Sequence, residues 1–575
     1  MKIKNFILSL FVLMFLVSAC DEDFLDRMPL DQISSADYWN TSNDLKLYVN
    51  QFYTMFSDGG AWSGGIYWFD DNSDNMIYRI YNTRLAGLRT VPTTGGWNYG
   101  RIRSLNYFFE NYKKCQDPFE EYSQYVGEAY FFRAYQYFNL VRTYGDVPWI
   151  SKTLTPESDE LYSPRTPRNV VIDSIIADLD KAISMMKSGP NEGGTRLNKE
   201  IARLFKARVC LYEGTWEKYH AGDPFGVEGS DGSKYLQMAA DAASELINSG
   251  VYHIYSTGDH EWDYWHLFNQ VDYSGNPEIM LWKKYDADLD MTHNHQRYLP
   301  RIGGGRGITR NLATAYLCTD GQPIAVSPLY QGDDSLTAEA ANRDLRFRQT
   351  IYTRGFPMEI VDGDTTRRFE HADIDKPGES KCPTGYQMCK GALPDPAQYY
   401  AAWVGTTGSP IFRYAEGLLI YAEAKAELGT ITQEDVDKTI NVLRDRVGTA
   451  HLDLNNIVTD PNWVFPDLSP IINEVRRERQ VELACEGYRW DDIARWAAAD
   501  EIIVGKRFLG ARFNNTDYPG LDPNDYNLDE NGYIDFLKDQ LPDGYGFRID
   551  RDYLSPISTE ELTLNPNLVQ NPGWD

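Results

Sequence analysis

Gly127-Glu-Ala-Tyr-Phe-Phe-Arg-Ala-Tyr-Gln-Tyr-Phe-Asn-Leu-Val-Arg-Thr-Tyr144, followed at once by Gly145-Asp-Val-Pro148, decides the fold class. Phe131, Ala134, Tyr135, Phe138 and Val141 recur at helical spacing and form an apolar face. Gly145 and Pro148 stop the helix. The same pattern repeats outward from this segment. One helix is expected from Asn169, read as its N-cap, to about Lys187, and another from Asn198 to Glu213 with Ala202, Phe205, Val209 and Tyr212 inward. A further one spans Tyr235 to Ser249, with Ala239, Ala242, Ala243 and Leu246 on one side and Gly250 as its stop. Later come an amphipathic helix over Arg413–Leu428 and helices over Gln433–Val447, Ser469–Glu486 and Trp490–Ala499. Neighbouring helices joined by short turns, with alanine between them, predict tetratricopeptide-like hairpins that must stack to bury their faces. The fold class expected is therefore mainly α, with long irregular insertions containing a few short strands.

The chain's 575 residues are enough for a large core without disulfides or metal. Its formal net charge of −28 repels phosphate, which argues against nucleic acid as a partner. Aromatic residues make up 14%, an excess that needs a use beyond the core.

Met1 to Cys20 reads as an export signal. Lys2 and Lys4 precede a short apolar run from Phe6 to Val17, too short to span a bilayer, and the run ends in Leu16-Val17-Ser18-Ala19-Cys20. Small residues before a cysteine resemble a bacterial lipobox, so residues 1–19 are expected to be removed and Cys20 to be acylated. A multiply acylated cysteine is a lasting tether at about 0.8 kcal/mol per buried CH₂. Asp21-Glu22-Asp23 then resembles a surface-export signal, and the membrane is expected to be touched only through the lipid. Residues 20–575 read as one domain: a helical-pair scaffold over about 30–250 and 413–500, an insertion over 251–412, and a loop-rich segment over 505–575. Of the remaining cysteines only Cys382 and Cys389 lie close, and a bridge between them is possible in an oxidising compartment.

Glycine-flanked aromatics interleaved with short polar residues suit carbohydrate, because sugar C–H faces sit on flat rings while hydroxyls need Asp, Asn or Arg beside them. The best match is Trp62, Tyr67, Trp68, Asp71 and Asn72, then Trp97 and Asn98. Trp97 also shares helical spacing with Arg101, Leu105 and Phe108, which fits a core position. In the insertion, Trp265, Arg297 and Tyr298 are candidates, with the run Gly303-Gly304-Gly305-Arg306-Gly307 as a mobile lip. Trp282, alternating with Met280, reads as core. Asn527, Asp529, Asn531 and Asp535 surround Gly532 as in a calcium loop, but Lys538 stands where a bidentate Glu belongs, so an Asx-rich turn is the stronger reading and structural calcium the weaker. No GxSxG or HExxH occurs, and no cofactor or catalytic residue is expected.

Six blocks in order resemble the SusD/RagB family: Phe24-Leu25-Asp26 with Tyr38-Trp39; the Gly127–Pro148 segment; Asn342-Arg343-Asp344 with Arg346-Phe347; Arg413-Tyr414-Ala415-Glu416 with Tyr421-Ala422-Glu423-Ala424; Glu474, Glu478-Arg479, Glu482-Leu483, Glu486-Gly487 and Arg489-Trp490-Asp491-Asp492; and Tyr553-Leu554-Ser555-Pro556 with Asn565-Pro566-Asn567-Leu568-Val569-Gln570-Asn571-Pro572-Gly573-Trp574. The resemblance implies an outer-membrane, cell-surface lipoprotein that binds oligo- or polysaccharide without cutting it. It would hand the glycan to a SusC-like TonB-dependent transporter. A peptide-capturing relative, a surface glycoside hydrolase and a structural lid without a ligand are the rival readings.

Overall fold

The computed structural model describes residues 38–575. Cys20, its acidic neighbours and the first residues of the opening family block lie outside that range.

Helices α1 (Ser42–Asn50), α2 (Gly100–Asn111), α3 (Phe119–Tyr144), α4 (Arg168–Met185), α5 (Lys199–Tyr219) and α6 (Ser233–Asn248) build the first half. α7 (Tyr414–Glu427), α8 (Gln433–Asp437), α9 (Ile440–Arg446), α10 (Pro470–Glu482) and α11 (Arg489–Arg495) build the second. α3 packs on α4 and α5 on α6, as two antiparallel hairpins stacked through α4 and α5. α7 then packs on α6 and α10, so it lies in the middle of the stack. The sequence suggests an amphipathic α7. In the fold, every residue of α7 except Lys425 is buried, as expected of a helix covered on all sides. Two helical glycines allow the close approaches. A Cβ on Gly214 would lie 2.8 Å from the backbone nitrogen of Leu236, and one on Gly417 would lie 2.6 Å from Leu246 Cδ2.

Several helix ends differ from expectation for local reasons. α4 begins at Arg168, whose amide donates to Asp146 Oδ1 at 2.8 Å, so a side chain from the preceding turn does the capping expected of Asn169. α5 starts after Asn198, whose Oδ1 caps it by accepting from Ile201 N, and continues past the expected Glu213 to Tyr219. The expected Gln433–Val447 helix is two helices, broken at Thr439, which has ψ −85°. α10 stops at Glu482 because the chain turns at Cys485, where φ is +65°, and sends the amides of Cys485 and Gly487 to the buried carboxylate of Asp70. A residue with positive φ, Ala497, likewise separates α11 from the short turn Ala499–Ile502.

The strands form three two-stranded antiparallel sheets: β1 (Met76–Tyr78) with β3 (Arg306–Ile308), β2 (Ile279–Lys283) with β6 (Ser409–Arg413), and β4 (Pro357–Val361) with β5 (Asp364–Arg368). The second pair is the neck of the insertion. Ile279 faces Arg413 and Lys283 faces Ser409, which brings the two ends of the insertion together. Trp282 on this neck is buried as read, its indole nitrogen donating to Gly193 O at 2.9 Å.

A buried ion network fixes the neck to the helices. Glu482 of α10 accepts from Arg413 at 2.8 Å, from Arg446 of α9 at 2.7 Å on both oxygens, and from Arg346 of the insertion at 2.9 Å. Arg413 also pairs with Glu278 and Glu486, and Arg346 with Asp344 and Glu478. Three guanidinium groups converge on Glu482, and their positive charge holds its carboxyl far below the ordinary range despite the opposing effect of burial.

The bridge open to Cys382 and Cys389 is not formed. Both thiols are free and buried. Cys382 lies 3.9 Å from Thr384 Oγ1, and Cys389 donates to Arg348 O at 3.5 Å, so the two turn to different neighbours.

Candidate functional site

The loop after α1 turns tightly at Gly59 and Gly60, both with positive φ. A Cβ on Gly59 would meet the Gly65 carbonyl oxygen at 2.6 Å, so only glycine lets the two limbs close. Ser63 Oγ donates to Gly60 O at 2.7 Å and accepts from Gly65 N at 2.9 Å. This tight turn pushes Trp62 outward, where it is 54% exposed.

Opposite it stands Trp403, 50% exposed, from the far end of the insertion. The two ring centroids are 5.5 Å apart with planes at 83°, an edge-to-face pair open to solvent. Tyr400, 74% exposed, lies on the same loop. One residue clamps both loops. Asn294 Oδ1 accepts from Trp403 N at 2.8 Å, and Asn294 N donates to Ala61 O at 2.9 Å. Asn294 Nδ2 is buried and has no partner. The juxtaposition follows from the neck: beyond β2 and β6 the chains stay paired, and His293 and Gly405 exchange backbone bonds of 3.0 and 3.1 Å.

Two stacked imidazoles lie beneath, His293 and His295, with centroids 3.8 Å apart. His293 Nε2 donates to Thr407 O at 2.9 Å, while its Nδ1 accepts from His295 N at 3.1 Å; this fixes the tautomer. His295 Nε2 donates to Gly60 O at 3.1 Å. Burial lowers His293 to about 4, and burial with the neighbouring His293 lowers His295 to about 3, so both rings are neutral struts at neutral pH.

The structure distributes the other sequence candidates over different surroundings. Trp68 is half-buried. Tyr298 meets it at 5.1 Å, the Arg306 guanidinium lies 4.1 Å over its face, and a Cβ on Gly304 would be 2.3 Å from its ring. Arg306 in turn pairs with Asp71 at 2.8 Å. Trp68, Asp71 and Tyr298 are therefore brought together but spend their surfaces on one another. Tyr67 is an interior residue, correcting the expectation of an exposed ring: its hydroxyl donates to Phe268 O at 2.7 Å inside the second core cluster. Trp265 is likewise interior, its indole nitrogen donating to Cys389 O at 3.1 Å. Arg297 is half-buried on the one-turn helix His295–Tyr298. The glycine run 303–305 is buried and forms the turn into β3, with Gly303 against the backbone of Cys382; it is not a free lip.

Trp97 precedes α2 and lies outside it. It packs on Tyr144 at 5.2 Å and lines a separate, largely apolar cavity of 370 Å³ with Leu154, Leu161 and Leu568. Asn98 is exposed and caps the Gly100 amide at 2.8 Å. Asn72 lines another cavity, of 380 Å³, with Asp71, Arg84, Arg142, Trp490 and Asp491.

In the calcium-like loop the two aspartates bond within the protein. Asp535 is buried and pairs with Arg507 at 2.9 Å, Asn527 donates to Asp539, and Asp529 Oδ1 accepts from the amides of Asn531 and Tyr533, which makes an Asx turn.

Trp403, Tyr400 and Asn294 went unremarked in the sequence. The signal was present, since Tyr399-Tyr400-Ala401-Ala402-Trp403-Val404-Gly405 has the aromatic, glycine-flanked character of the early loop.

The comparisons with known proteins agree with this architecture. SusD-like protein P2 of Formosa agariphila is 25% identical over 599 aligned residues, covering 99% of this chain and all of the relative. A SusD-like carbohydrate binding protein from Bacteroides fragilis superposes with a TM-score of 0.70 at 23% identity, covering 92% of this chain and all of that one. A laminarin binding SusD-like protein gives 0.58 at 17% identity, covering 93% and 100%. These two likenesses concern the fold. A family model described as starch-binding associating with outer membrane matches residues 23–211, and the SusD family model matches residues 269–574. With the second match alone spanning more than half of its length, the chain belongs to the SusD family.

Proposed function

We propose that this protein is a cell-surface lipoprotein that holds oligo- or polysaccharide on the Trp62–Trp403–Tyr400 shelf and delivers it, uncut, to a SusC-like TonB-dependent transporter. The observation that carries the reading is the exposed edge-to-face tryptophan pair, held up by one asparagine on a base of neutral histidines. Clustered exposed rings of this kind mark a binding surface in a soluble fold. Their backbone is fixed by buried hydrogen bonds, so little ordering is lost when a sugar stacks on them. Family membership and the carbohydrate-binding relative support carbohydrate as the ligand. Among the described residues no helix is long and apolar enough to cross a membrane, which agrees with attachment through Cys20.

The test is a panel of neutral and acidic polysaccharides in affinity gels, read alongside release of reducing ends. Retardation on at least one glycan with no new reducing ends is the expected result. Release of reducing ends would establish a hydrolase, and binding confined to a peptide library would establish a peptide carrier. Replacing Cys20 by Ala should move the protein from the membrane to the soluble fraction.

A further inference from the structure

The 380 Å³ cavity under the early loop is lined by a guanidinium that, among the described residues, has no ion-pair partner, with Asp71 and Asp491 on the same wall. Its volume falls within the ~300–1,000 Å³ usual for small-molecule sites. The Arg84 guanidinium lies 4.6 Å over the Trp490 ring and, among the described residues, donates no hydrogen bond and forms no ion pair. The arginines around it are matched: Arg142 with Asp491, Arg89 with Asp552, and Arg489 with Asp74. Asp71, on the same wall, is matched with Arg306. Burial, and then the neighbouring Arg89, lower Arg84 to about 10 against the opposing pull of Asp491 and Asp552, so it stays charged at neutral pH.

Two further polar atoms on this lining lack partners. Among the described residues, Arg142 Nε has no acceptor and Asn72 Oδ1 has no donor. A buried polar atom left without a partner is costly, and such atoms are few in native proteins. Here a guanidinium without an ion pair, and two residues that each carry a buried unpaired polar atom, line one cavity beside an aromatic ring. Together they ask for a ligand with acceptor oxygens bearing negative charge and a hydroxyl beside them. A planar guanidinium matches carboxylate and sulfate oxygens in a two-pronged bond, and stacking on an indole holds its plane for that purpose.

We propose that this cavity is a subsite for an oxyanion carried on a sugar ring, the carboxylate of a uronic acid or a sulfate ester. The proposal rests on the glycan-binding reading above and narrows its substrate class to acidic glycans. Arg84 supplies the charge, Arg142 a second donor and Asn72 the acceptor for a neighbouring hydroxyl.

The test uses the full chain in mild detergent. Binding of glucuronate, of galactose 6-sulfate and of uncharged galactose is measured by calorimetry or NMR for wild type, Arg84→Gln, Arg84→Glu and Arg84→Lys. The expected result is that one or both acidic sugars bind and the neutral one does not. Arg84→Gln should weaken that binding about tenfold or more, Arg84→Glu should abolish it, and Arg84→Lys should restore part of it. Wild-type affinity should also fall as salt rises. Which acidic sugar binds tells carboxylate from sulfate. Because the Arg84 side chain has no hydrogen bond or ion pair among the described residues, only its contact with Trp490 is lost in Arg84→Gln and Arg84→Glu, and Arg84→Lys, which keeps the charge over that ring, is informative should the other two melt lower. Equal affinity in wild type and Arg84→Gln, or no binding of either acidic sugar, overturns the subsite. The outcomes separate the two readings: a protein that holds neutral polysaccharide on its tryptophans but ignores both acidic sugars keeps the proposed function and loses this one. A protein that binds glucuronate through Arg84 but retains no polysaccharide does the reverse.

Discussion

Replacing Trp62 and Trp403 by alanine, singly and together, tests the ring shelf most directly. A tryptophan side chain offers roughly 150–250 Å² of surface. With 54% and 50% still exposed, each ring keeps on the order of 100 Å² to give to a ligand. A pyranose covers one face and one edge, about half of that. At about 25 cal/mol per Å² each contact is worth roughly 1.3 kcal/mol, close to tenfold in affinity. The rings also support each other at 5.5 Å, so removing one leaves the other free to rotate. That coupling should absorb about 0.5–1 kcal/mol, giving a double mutant weaker by about 30-fold rather than 100-fold. Titration calorimetry with an oligosaccharide found in the gel panel reads the affinities, and the four-way cycle reads the coupling. Melting temperatures should stay within about a degree, because exposed positions contribute little to stability. A double mutant within twofold of wild type would refute the shelf. So would single mutants that melt several degrees lower, since that would make the rings part of the core.

Three other outcomes follow from the geometry. Glu482→Gln removes a charge faced by three buried guanidinium groups, so it should cost about 3–5 kcal/mol and lower the melting temperature by about 3–5 °C; an unchanged melt would show the network to be idle. Gly214→Ala, ordinarily favourable in a helix, should instead destabilise by about 1–3 kcal/mol, because its Cβ would lie 2.8 Å from backbone at Leu236. His293 and His295 have folded pKa values of about 4 and about 3, below the unfolded value of about 6.5. The unfolded state therefore takes up protons first, so the shelf's base is fully stable above about pH 6.5 and weakens progressively as pH falls toward 4. Amide exchange over residues 290–296 and 400–408 should accelerate between pH 6.5 and 4 after correction for intrinsic rates, and unchanged protection would refute it.

The helical stack is largely legible in the sequence because its signal is local. Phe131, Ala134, Phe138 and Val141 repeat every three or four residues, and each such face needs a partner. Helix ends are less legible because distant groups set them. Nothing near Glu482 announces that Cys485 and Gly487 must turn back to Asp70, more than 400 residues away in sequence. The all-round burial of α7 is hidden for a similar reason: its glutamates look solvated, but Glu416 and Glu423 are paired with Arg208 and Arg495 inside the stack. At the site, the glycines around Trp62 signal exposure correctly, whereas the same glycines mislead at Tyr67. Gly391 and Gly65 are there because the backbone must pass close to a packed tyrosine and to His295. Small residues mark close packing as readily as they mark free loops. Trp403 meets Trp62 through the register of the neck and the bonds of Asn294 to both loops, and pairings between segments more than 100 residues apart are invisible to any local pattern.

The ion network and the shelf form a single mechanical unit. The shelf is made of two loops far apart in sequence: β2–β6 lead to the 400–408 loop and to the segment of Asn294 and His295, and those two residues hold the Trp62 loop through Ala61 O and Gly60 O. Arg413 at the end of β6 and Glu278 just before β2 both belong to the charge cluster around Glu482. A salt bridge buried this deeply contributes little net stability compared with apolar packing, but it tolerates only one geometry. A one-residue slip of β2 against β6 would leave Arg413 without Glu278 and Glu482 at once, and would separate His293 from Gly405. The cluster therefore acts chiefly as a register lock. Glu482→Gln should accordingly loosen the 400–408 loop and weaken glycan binding even below its melting temperature, where a purely global loss of stability would leave affinity untouched. Measuring affinity and exchange at 400–408 for this variant at 10 °C separates the two: unchanged affinity there would reduce the cluster to a stability element, with the shelf held by its own hydrogen bonds alone.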